Sequence, residues 1–389
     1  MQGASHNTSV IALVDDILHK AIARGVSDIH FEPTAQGLRV RFRVDGVLID
    51  QPMLAHTLMA QVISRLKVLS QINIAERRMP QDGKFSIQYK GAPIDLRVST
   101  FPSLFGQKVV VRILDRAQHM ISLSSLGFEP SMLEAIQQLI HRPHGFFLVT
   151  GPTGSGKTTT LYAALSALNS SEKNIVTLED PVEYNVDGVI QGHIHPEVGF
   201  TFEEGVRAVL RQDPDIIMVG EIRDRQTAHV AIEAALTGHS VLSTLHTNDA
   251  PSAIMRLMDM GIEPFLINAS LTGVLAQRLV RTICTHCRVS HVPTPDQRQL
   301  MVRYGIEVPV LYEGKGCIQC DGLGYKGRTG IFELLIMNDA LRSLIIKQPI
   351  FESIYTQVRS NGTQSLASSA AKKVHAGIIT LSEMMRVVA

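Results

Sequence analysis

The segment Gly151 to Thr158 carries the residue types of a phosphate-binding loop. It reads Gly-Pro-Thr-Gly-Ser-Gly-Lys-Thr and lies between an apolar strand, 146–149, and a helix over 159–168. Its glycines let backbone N–H groups turn toward phosphate, and the helix N-terminus adds partial positive charge. Lys157 is expected to reach the β- and γ-phosphates, and the Thr158 hydroxyl to ligate Mg²⁺.

The alternative, a glycine-rich turn with an incidental lysine, is disfavoured because the flanking strand and helix are also in place. The sequence therefore predicts a nucleotide site for ATP and Mg²⁺ with these binding residues: Gly151, Pro152, Thr153, Gly154, Ser155, Gly156, Lys157, Thr158 and Thr159.

The four cysteines form two closely spaced pairs, Cys284 with Cys287 and Cys317 with Cys320. Two such loops can complete a tetrahedral site of four thiolates, for which Zn²⁺ is the usual ion. The alternative is a redox role for one pair. Two pairs beside glycines favour structural zinc, and the segment 293–309 is interpreted as an insertion between the two loops.

Acidic residues and a histidine follow apolar segments in the central part of the chain. The segments 146–150, 175–178, 216–219 and 241–244 predict a mostly parallel sheet with its chemistry at the carboxyl ends of the strands. The polar residues at those ends are Glu179, Asp180, Glu183, Glu221 and His246. Glu179 and Asp180 are expected to bind the nucleotide, and the other three to be catalytic. A carboxylate beside a γ-phosphate can orient water or hold hydrated Mg²⁺, and a histidine can sense the phosphate. Capping or ion pairing is the alternative for each residue alone.

The first third of the chain predicts a small α+β domain that ends near Ser122. Apolar residues recur at helical spacing over 10–24 and 58–69, and short strands are expected at 85–89, 94–99 and 109–114. A hairpin is predicted around Asp45 and Gly46, where apolar residues alternate with three arginines. The simplest interpretation of those arginines is a solvated face of the sheet.

A helix is predicted after Thr201, which has the spacing of a helix cap. It places Arg207 and Arg211 on one face, where they could pair with Asp213 and Asp215. Beyond the cysteines, segments 338–347 and 351–358 and a last helix capped by Thr380 predict a helical tail that packs between subunits.

Composition limits the function classes. The chain has 389 residues, 45% of them hydrophobic, and a formal net charge of +1, so the chain as a whole is not basic enough to suggest nucleic acid. A nucleic-acid motor would need stacking aromatics, but aromatic residues are 5% and tryptophan is absent. A zinc-dependent interaction module would explain the cysteines and nothing else, because it has no need of Glu183, Glu221 and His246. Neither a membrane span nor a signal peptide is predicted, so a cytoplasmic location is expected.

Four segments resemble the Walker A, Asp-box, Walker B and His-box motifs of type II/IV secretion ATPases, and they are Gly151 to Thr158, Thr177 to Glu183, Arg211 to Asp224 and Ser243 to Asn248. Upstream segments around Ser27 to His30, Arg41 to Gly46 and Asp95 to Thr100 match this family too. Retraction motors of the family typically lack the four cysteines, so the chain resembles assembly motors. The segment Gly261 to Arg281 looks most like type II secretion members, with type IV pilus extension ATPases as the alternative.

The resemblance implies an α/β fold, with a RecA-like P-loop ATPase core, an N-terminal PAS-like α+β domain, a zinc subdomain and a C-terminal helical tail. The expected boundaries are 1–122 for the PAS-like domain, 123–280 for the ATPase domain, 281–332 for the cysteine subdomain and 333–389 for the tail. It also implies a homo-hexamer that hydrolyses ATP on the cytoplasmic face of the inner membrane. The implied partners are platform proteins of a secretion system, and the chain is expected to reach the membrane only through them. No nucleic-acid partner is implied.

The resemblance also implies roles for single residues. Arg97, Arg112 and Arg207 match positions that act on the nucleotide. Gly220 stands where many ATPases have an aspartate that ligates Mg²⁺ directly, so Glu221 is expected to hold the metal through water, and Glu183 to position the attacking water. Family members usually carry a further N-terminal docking domain. Either this sequence is trimmed or its recruitment differs.

Overall fold

A computed structural model of the chain describes residues 9–114, 121–347 and 350–388. The chain divides into two compact units, Met1–His119 and Met120–Ala389. The segments predicted from the sequence as the ATPase core, the cysteine subdomain and the tail all fall within the second unit.

The first unit is an antiparallel sheet with two helices. Strand order is β3-β2-β1-β7-β6-β5, with β4 beside β2. The elements are α1 (Val10–Ala23), β1 (Asp28–Thr34), β2 (Gly37–Val44), β3 (Val47–Asp50), β4 (Leu54–Ala55), α2 (His56–Leu69), β5 (Gln81–Tyr89), β6 (Ala92–Ser103) and β7 (Gly106–Leu114). Alternate residues of the strands point into one core, which also takes the apolar faces of both helices.

The arginines of β2 are paired with carboxylates on the neighbouring strands. Arg39 contacts Asp50 at 2.6 Å, and Arg41 contacts Glu32 at 2.7 Å. Burial opposes ionisation of Glu32, but hydrogen bonds from Arg41 and Lys108 hold its pKa at about 2. The Arg41–Glu32 pair is partly buried, with side chains 24% and 16% exposed, whereas the Arg39–Asp50 pair is 41% and 61% exposed. This face of the sheet is therefore solvated at Arg39, as expected from the sequence, and carries a partly buried ion pair at Arg41.

The second unit is built on a seven-stranded sheet of order β10-β9-β11-β12-β8-β13-β16. All neighbours are parallel except β13 and β16. Its strands are β8 (Gly145–Thr150), β9 (Ile175–Glu179), β10 (Ile190–His193), β11 (Ile216–Val219), β12 (Ser240–Leu245), β13 (Leu271–Ile283) and β16 (Tyr325–Ile336), and a separate ribbon pairs β14 (Arg288–His291) with β15 (Leu311–Gly314). The central strands are buried along their whole length, as expected for a parallel sheet covered on both faces.

Helices cover both faces of this sheet and form the end of the chain. They are α3 (Pro130–Ile140), α4 (Lys157–Leu168), α5 (Phe202–Val209), α6 (Arg225–Leu236), α7 (Ala250–Asp259), α8 (Pro264–Ser270), α9 (Pro295–Arg303), α10 (Asp339–Lys347), α11 (Phe351–Ser360), α12 (Leu366–His375) and α13 (Leu381–Val388). Helix α9 lies in the segment that the sequence marked as an insertion between the cysteine loops.

The last helices pack against the sheet of their own chain. Apolar residues of α12 and α13 share a core with Val280 of β13 and Ile331 of β16. Glu383 is buried and binds Arg281 at 2.8 Å and Arg386 at 2.6 Å. Burial opposes ionisation, but these hydrogen bonds lower the pKa of Glu383 to about 2. The ion pair fixes α13 to β13; packing between subunits stays a prediction.

Candidate nucleotide site and cysteine centre

The phosphate loop runs from the end of β8 at Thr150 to the start of α4 at Lys157, within the second unit. A Cβ atom at Gly151 would lie 2.5 Å from the carbonyl oxygen of Gln277, and Gly156 has φ +88°, so both positions require glycine. The loop therefore opens directly onto the N-terminus of α4, where free N–H groups favour an anion.

Lys157 is folded back onto this loop. Its Nζ donates hydrogen bonds to the carbonyl oxygens of Gly151 at 2.9 Å and Pro152 at 3.2 Å. Burial lowers the pKa of Lys157, and the nearby charge of Glu221 raises it in opposition. The ammonium group thus lies in the loop, poorly hydrated, with a carboxylate as its electrostatic neighbour.

Gln277 fixes the phosphate loop to β13. Its Nε2 donates to the carbonyl oxygen of Ser155 at 2.7 Å, and its Oε1 accepts a hydrogen bond from Thr160 at 2.8 Å. The side chain is 2% exposed. This role of Gln277 could not be predicted from the sequence, because only the fold brings β13 beside the loop.

A cluster of charged residues lies at the carboxyl ends of β9, β11 and β12. Arg223 is hydrogen bonded to Glu221 and lies 3.6 Å from Asp180. The Nε2 atom of His246 lies 3.4 Å from Glu221. Arg223 therefore joins Asp180 to Glu221, and His246 contacts the same carboxylate of Glu221. Arg223 was not singled out from the sequence.

Glu179 and Glu183, which belong to the same motif, have different surroundings. Glu179 is 3% exposed, and its carboxylate accepts hydrogen bonds from Tyr162, Thr177 and Gln191. Glu183 is exposed on the loop that follows β9. Of the two, Glu183 has the access that a water-positioning carboxylate needs.

Arg207 lies on α5, which Thr201 caps by accepting a hydrogen bond from the N–H of Glu204 at 3.3 Å. Arg207 pairs with Glu203 at 3.2 Å, and Arg211 donates to the carbonyl oxygen of Arg207. Asp215 accepts instead from the N–H of Asn174 at 2.7 Å. Arg207 therefore forms an ion pair within its own helix.

Arg97 and Arg112 lie opposite each other on β6 and β7 of the first unit. The Nε atom of Arg112 lies 2.9 Å from Asp28, while 61% of its side chain is exposed. Arg43 lies 3.6 Å from the same carboxylate. Because directly opposed residues share one face of a sheet, the two arginines concentrate positive charge there.

The four cysteines converge beside the β14–β15 ribbon. All four sulfur atoms lie within 4.8 Å of one another. Three of the pairs are separated by 3.7 to 3.8 Å, too far for a disulfide bond. Four ligands about 2.3 Å from a tetrahedral zinc ion are about 3.8 Å apart. The Sγ atom of Cys320 also accepts hydrogen bonds from the N–H groups of Cys317 and Gly324, both at 3.2 Å, which stabilise a thiolate. The residues present fit a closed tetrahedral metal site.

Comparison with known proteins gives consistent matches along the chain. The sequence model of a family described as "Type II/IV secretion system protein" matches residues 3–386. The chain is 50% identical to the type II secretion system ATPase E of Vibrio cholerae, over 97% of the chain and 75% of that protein. It is 45% identical to the type IV pilus assembly ATPase PilB of Thermus thermophilus, over 96% of the chain and 42% of that protein.

Solved structures with a similar fold include the pilus retraction motor PilT with bound ADP. It has a TM-score of 0.63 and 27% identity, with 96% of each chain covered. The ATPase DotB of Legionella pneumophila has a TM-score of 0.72 and 22% identity, with 100% of this chain and 97% of that chain covered, which shows the fold alone.

Proposed function

Since the chain belongs to the type II/IV secretion system protein family, we propose that it hydrolyses ATP to power pseudopilus assembly and protein export by a type II secretion system. The observation that carries this proposal is that the phosphate loop and His246 directly follow paired residues of two parallel strands, Thr150 of β8 and Leu245 of β12, and that His246 lies 3.4 Å from Glu221. The alternative is type IV pilus extension. Identity to the secretion ATPase is higher than to PilB, and the chain spans more of that protein.

The residues present fit ATP and Mg²⁺. Backbone N–H groups of 151–158 would bind phosphate oxygens, Lys157 would neutralise the β- and γ-phosphates, and the Thr158 hydroxyl would ligate Mg²⁺, which offsets phosphate charge when bound. Glu221 would hold the metal through water while Arg223 and His246 orient its carboxylate. Glu183 would position the attacking water.

We further infer that the first unit is the PAS-like domain of this family and that the sheet of the second unit is its RecA-like core. The working assembly would be a homo-hexamer on the cytoplasmic face of the inner membrane, bound there through platform proteins. Within the part of the chain that the structure describes, no helix has both the length and the apolar character of a membrane span.

Phosphate release from ATP, with and without single-stranded DNA, tests this function. We expect turnover that DNA does not change, because the chain has neither a basic excess nor the aromatic residues of a stacking platform. Strong stimulation by DNA would instead indicate a nucleic-acid motor.

Mass measurement with and without ATP tests the hexamer, and a chain that stays monomeric at all ATP concentrations would contradict the ring.

The cysteine centre is proposed as a structural zinc site. In that role the ion stabilises the β14–β15 ribbon and its loops, because four protein ligands leave no coordination position for substrate. We expect Cys317→Ser to lower the zinc content from about one ion per chain to near zero and to lower the melting temperature. ATP affinity of the remaining folded protein should be unchanged. Elemental analysis and thermal unfolding measure these effects.

His286 supplies the matched control for this prediction. It is exposed between Cys284 and Cys287, so His286→Ala should keep the zinc if the four thiolates are the ligands. Natively purified protein without zinc, and with a disulfide bond in each cysteine pair, would contradict the zinc site and indicate redox chemistry.

A further inference from the structure

A buried hydrogen-bonding network joins the helix of the phosphate loop to the loop that carries Glu183. Its members are Tyr162 on α4, Glu179 at the end of β9 and Gln191 on β10. Tyr162 is 1% exposed and Glu179 is 3% exposed, so the network lies beneath the surface on which nucleotide would bind.

The inner side of the network centres on the carboxylate of Glu179. Tyr162 donates its hydroxyl proton to Oε2. Thr177 donates to Oε1 at 2.6 Å, and the Nε2 of Gln191 donates to the same oxygen at 3.1 Å. Burial and the charge of Glu179 raise the pKa of Tyr162, so the phenol keeps its proton and remains a donor.

The outer side of the network holds the backbone of the loop at three residues. The oxygen of Tyr162 accepts a hydrogen bond from the N–H of Glu183 at 3.4 Å. Gln191 donates to the carbonyl oxygen of Tyr184 at 3.1 Å and accepts from the N–H of Val186 at 2.8 Å. The ring of Tyr184 packs edge-on against Tyr162, with centroids 4.4 Å apart.

The two sides converge on one hydroxyl group. Tyr162 lies on the helix that begins at Lys157, about one turn after the end of the phosphate loop at Thr158. Its oxygen contacts both Glu179 and the N–H of Glu183. The hydroxyl of Tyr162 is thus a buried group that joins two elements in a fixed geometry. One is helix α4, which begins at the phosphate loop, and the other is the loop that carries the carboxylate of Glu183.

We propose that Tyr162, Glu179 and Gln191 are positioning residues that fix the backbone of Glu183 relative to the phosphate loop. This proposal rests on the proposed ATP hydrolysis and on the role of Glu183 in it. It gives Glu179 a place beneath the site, whereas the sequence predicted a direct contact with nucleotide. Small misplacement of a catalytic group slows the chemical step much more than it weakens binding.

Tyr162→Phe is the direct test, because it removes the hydroxyl and keeps the ring. We expect kcat for ATP to fall by about ten- to a hundredfold. KM and the Kd for ATP should stay within about twofold, since phosphate contacts are untouched. Tyr325→Phe is the matched control. Tyr325 lies on β16, its hydroxyl is 2.8 Å from the hydroxyl of Thr380, and the loss of this contact should leave kcat unchanged.

A double-mutant cycle with Glu183→Gln separates positioning from general stability. If Tyr162 acts through Glu183, adding Tyr162→Phe to the Glu183→Gln variant should slow turnover little further. If the Tyr162 hydroxyl only stabilises the fold, the two substitutions should act independently, and their fold-losses in kcat should multiply. Gln191→Leu removes the amide that links Glu179 to the loop, and it should show the same pattern even if Tyr162→Phe fails to fold.

The outcomes distinguish this inference from the proposed function. No phosphate release by the unaltered chain would overturn the ATPase assignment and this inference with it. Normal kcat in Tyr162→Phe and Gln191→Leu, multiplying losses in the cycle, or a matching loss of ATP affinity would each overturn the positioning role alone, provided that the unaltered chain hydrolyses ATP.

Discussion

Lys157→Ala is expected to weaken the binding of ATP by about ten- to a hundredfold, the usual range for loss of a charged hydrogen bond. The ammonium group lies in the phosphate loop, where burial lowers its pKa and it donates hydrogen bonds to the carbonyl oxygens of Gly151 and Pro152. A bound phosphate would give the ammonium group of Lys157 a partner of full opposite charge in place of these neutral carbonyl oxygens. Calorimetric titration with Mg-ATP measures the loss.

Lys326→Ala is the control for this prediction. Lys326 is an exposed lysine of the same unit, on β16, so its removal changes net charge equally without touching the phosphate loop. Equal affinities in the two variants would show that Lys157 does not bind the phosphates, and would place the nucleotide elsewhere.

Arg97→Ala and Arg112→Ala are each expected to slow ATP turnover by about a thousandfold or more while ATP binding is largely retained. The resemblance to secretion ATPases implies that these arginines stabilise charge on the γ-phosphate during hydrolysis. The two side chains share one face of the sheet, and most of the Arg112 side chain is exposed even with Asp28 as a partner. Phosphate release and ATP titration measure the two effects separately.

Arg39→Ala is the matched control, because Arg39 is a strand arginine of the same sheet with one carboxylate partner, Asp50. It should leave turnover unchanged. Turnover near that of the unaltered chain in both Arg97→Ala and Arg112→Ala would remove the arginines from catalysis and return them to a surface role.

The sequence was most informative where the signal is local. The phosphate loop and the strands over 146–150, 175–178 and 216–219 could be predicted closely, because turn glycines and runs of apolar residues act over a few positions. Helix α4 begins at Lys157, two residues before its predicted start, since the last residues of the loop already belong to it.

The residues that sequence reasoning missed act through contacts between distant segments. Gln277 reaches the phosphate loop only because β13 pairs with β8, and Arg223 joins Glu221 to Asp180 only because β11 lies beside β9. Strand β10, over Ile190–His193, was also missed, because four residues with mixed polarity carry no clear periodicity. Such roles become visible when the sheet order is known.

The central claim, that this chain hydrolyses ATP at the phosphate loop with Glu221 as a catalytic group, is tested most directly by Glu221→Gln. This variant keeps the shape of the side chain and removes the charge that would hold hydrated Mg²⁺. Parallel measurement of ATP affinity and phosphate release should show affinity retained and release slowed by about a hundredfold or more. Loss of ATP binding equal to that in Lys157→Ala, or release at the rate of the unaltered chain, would contradict the claim.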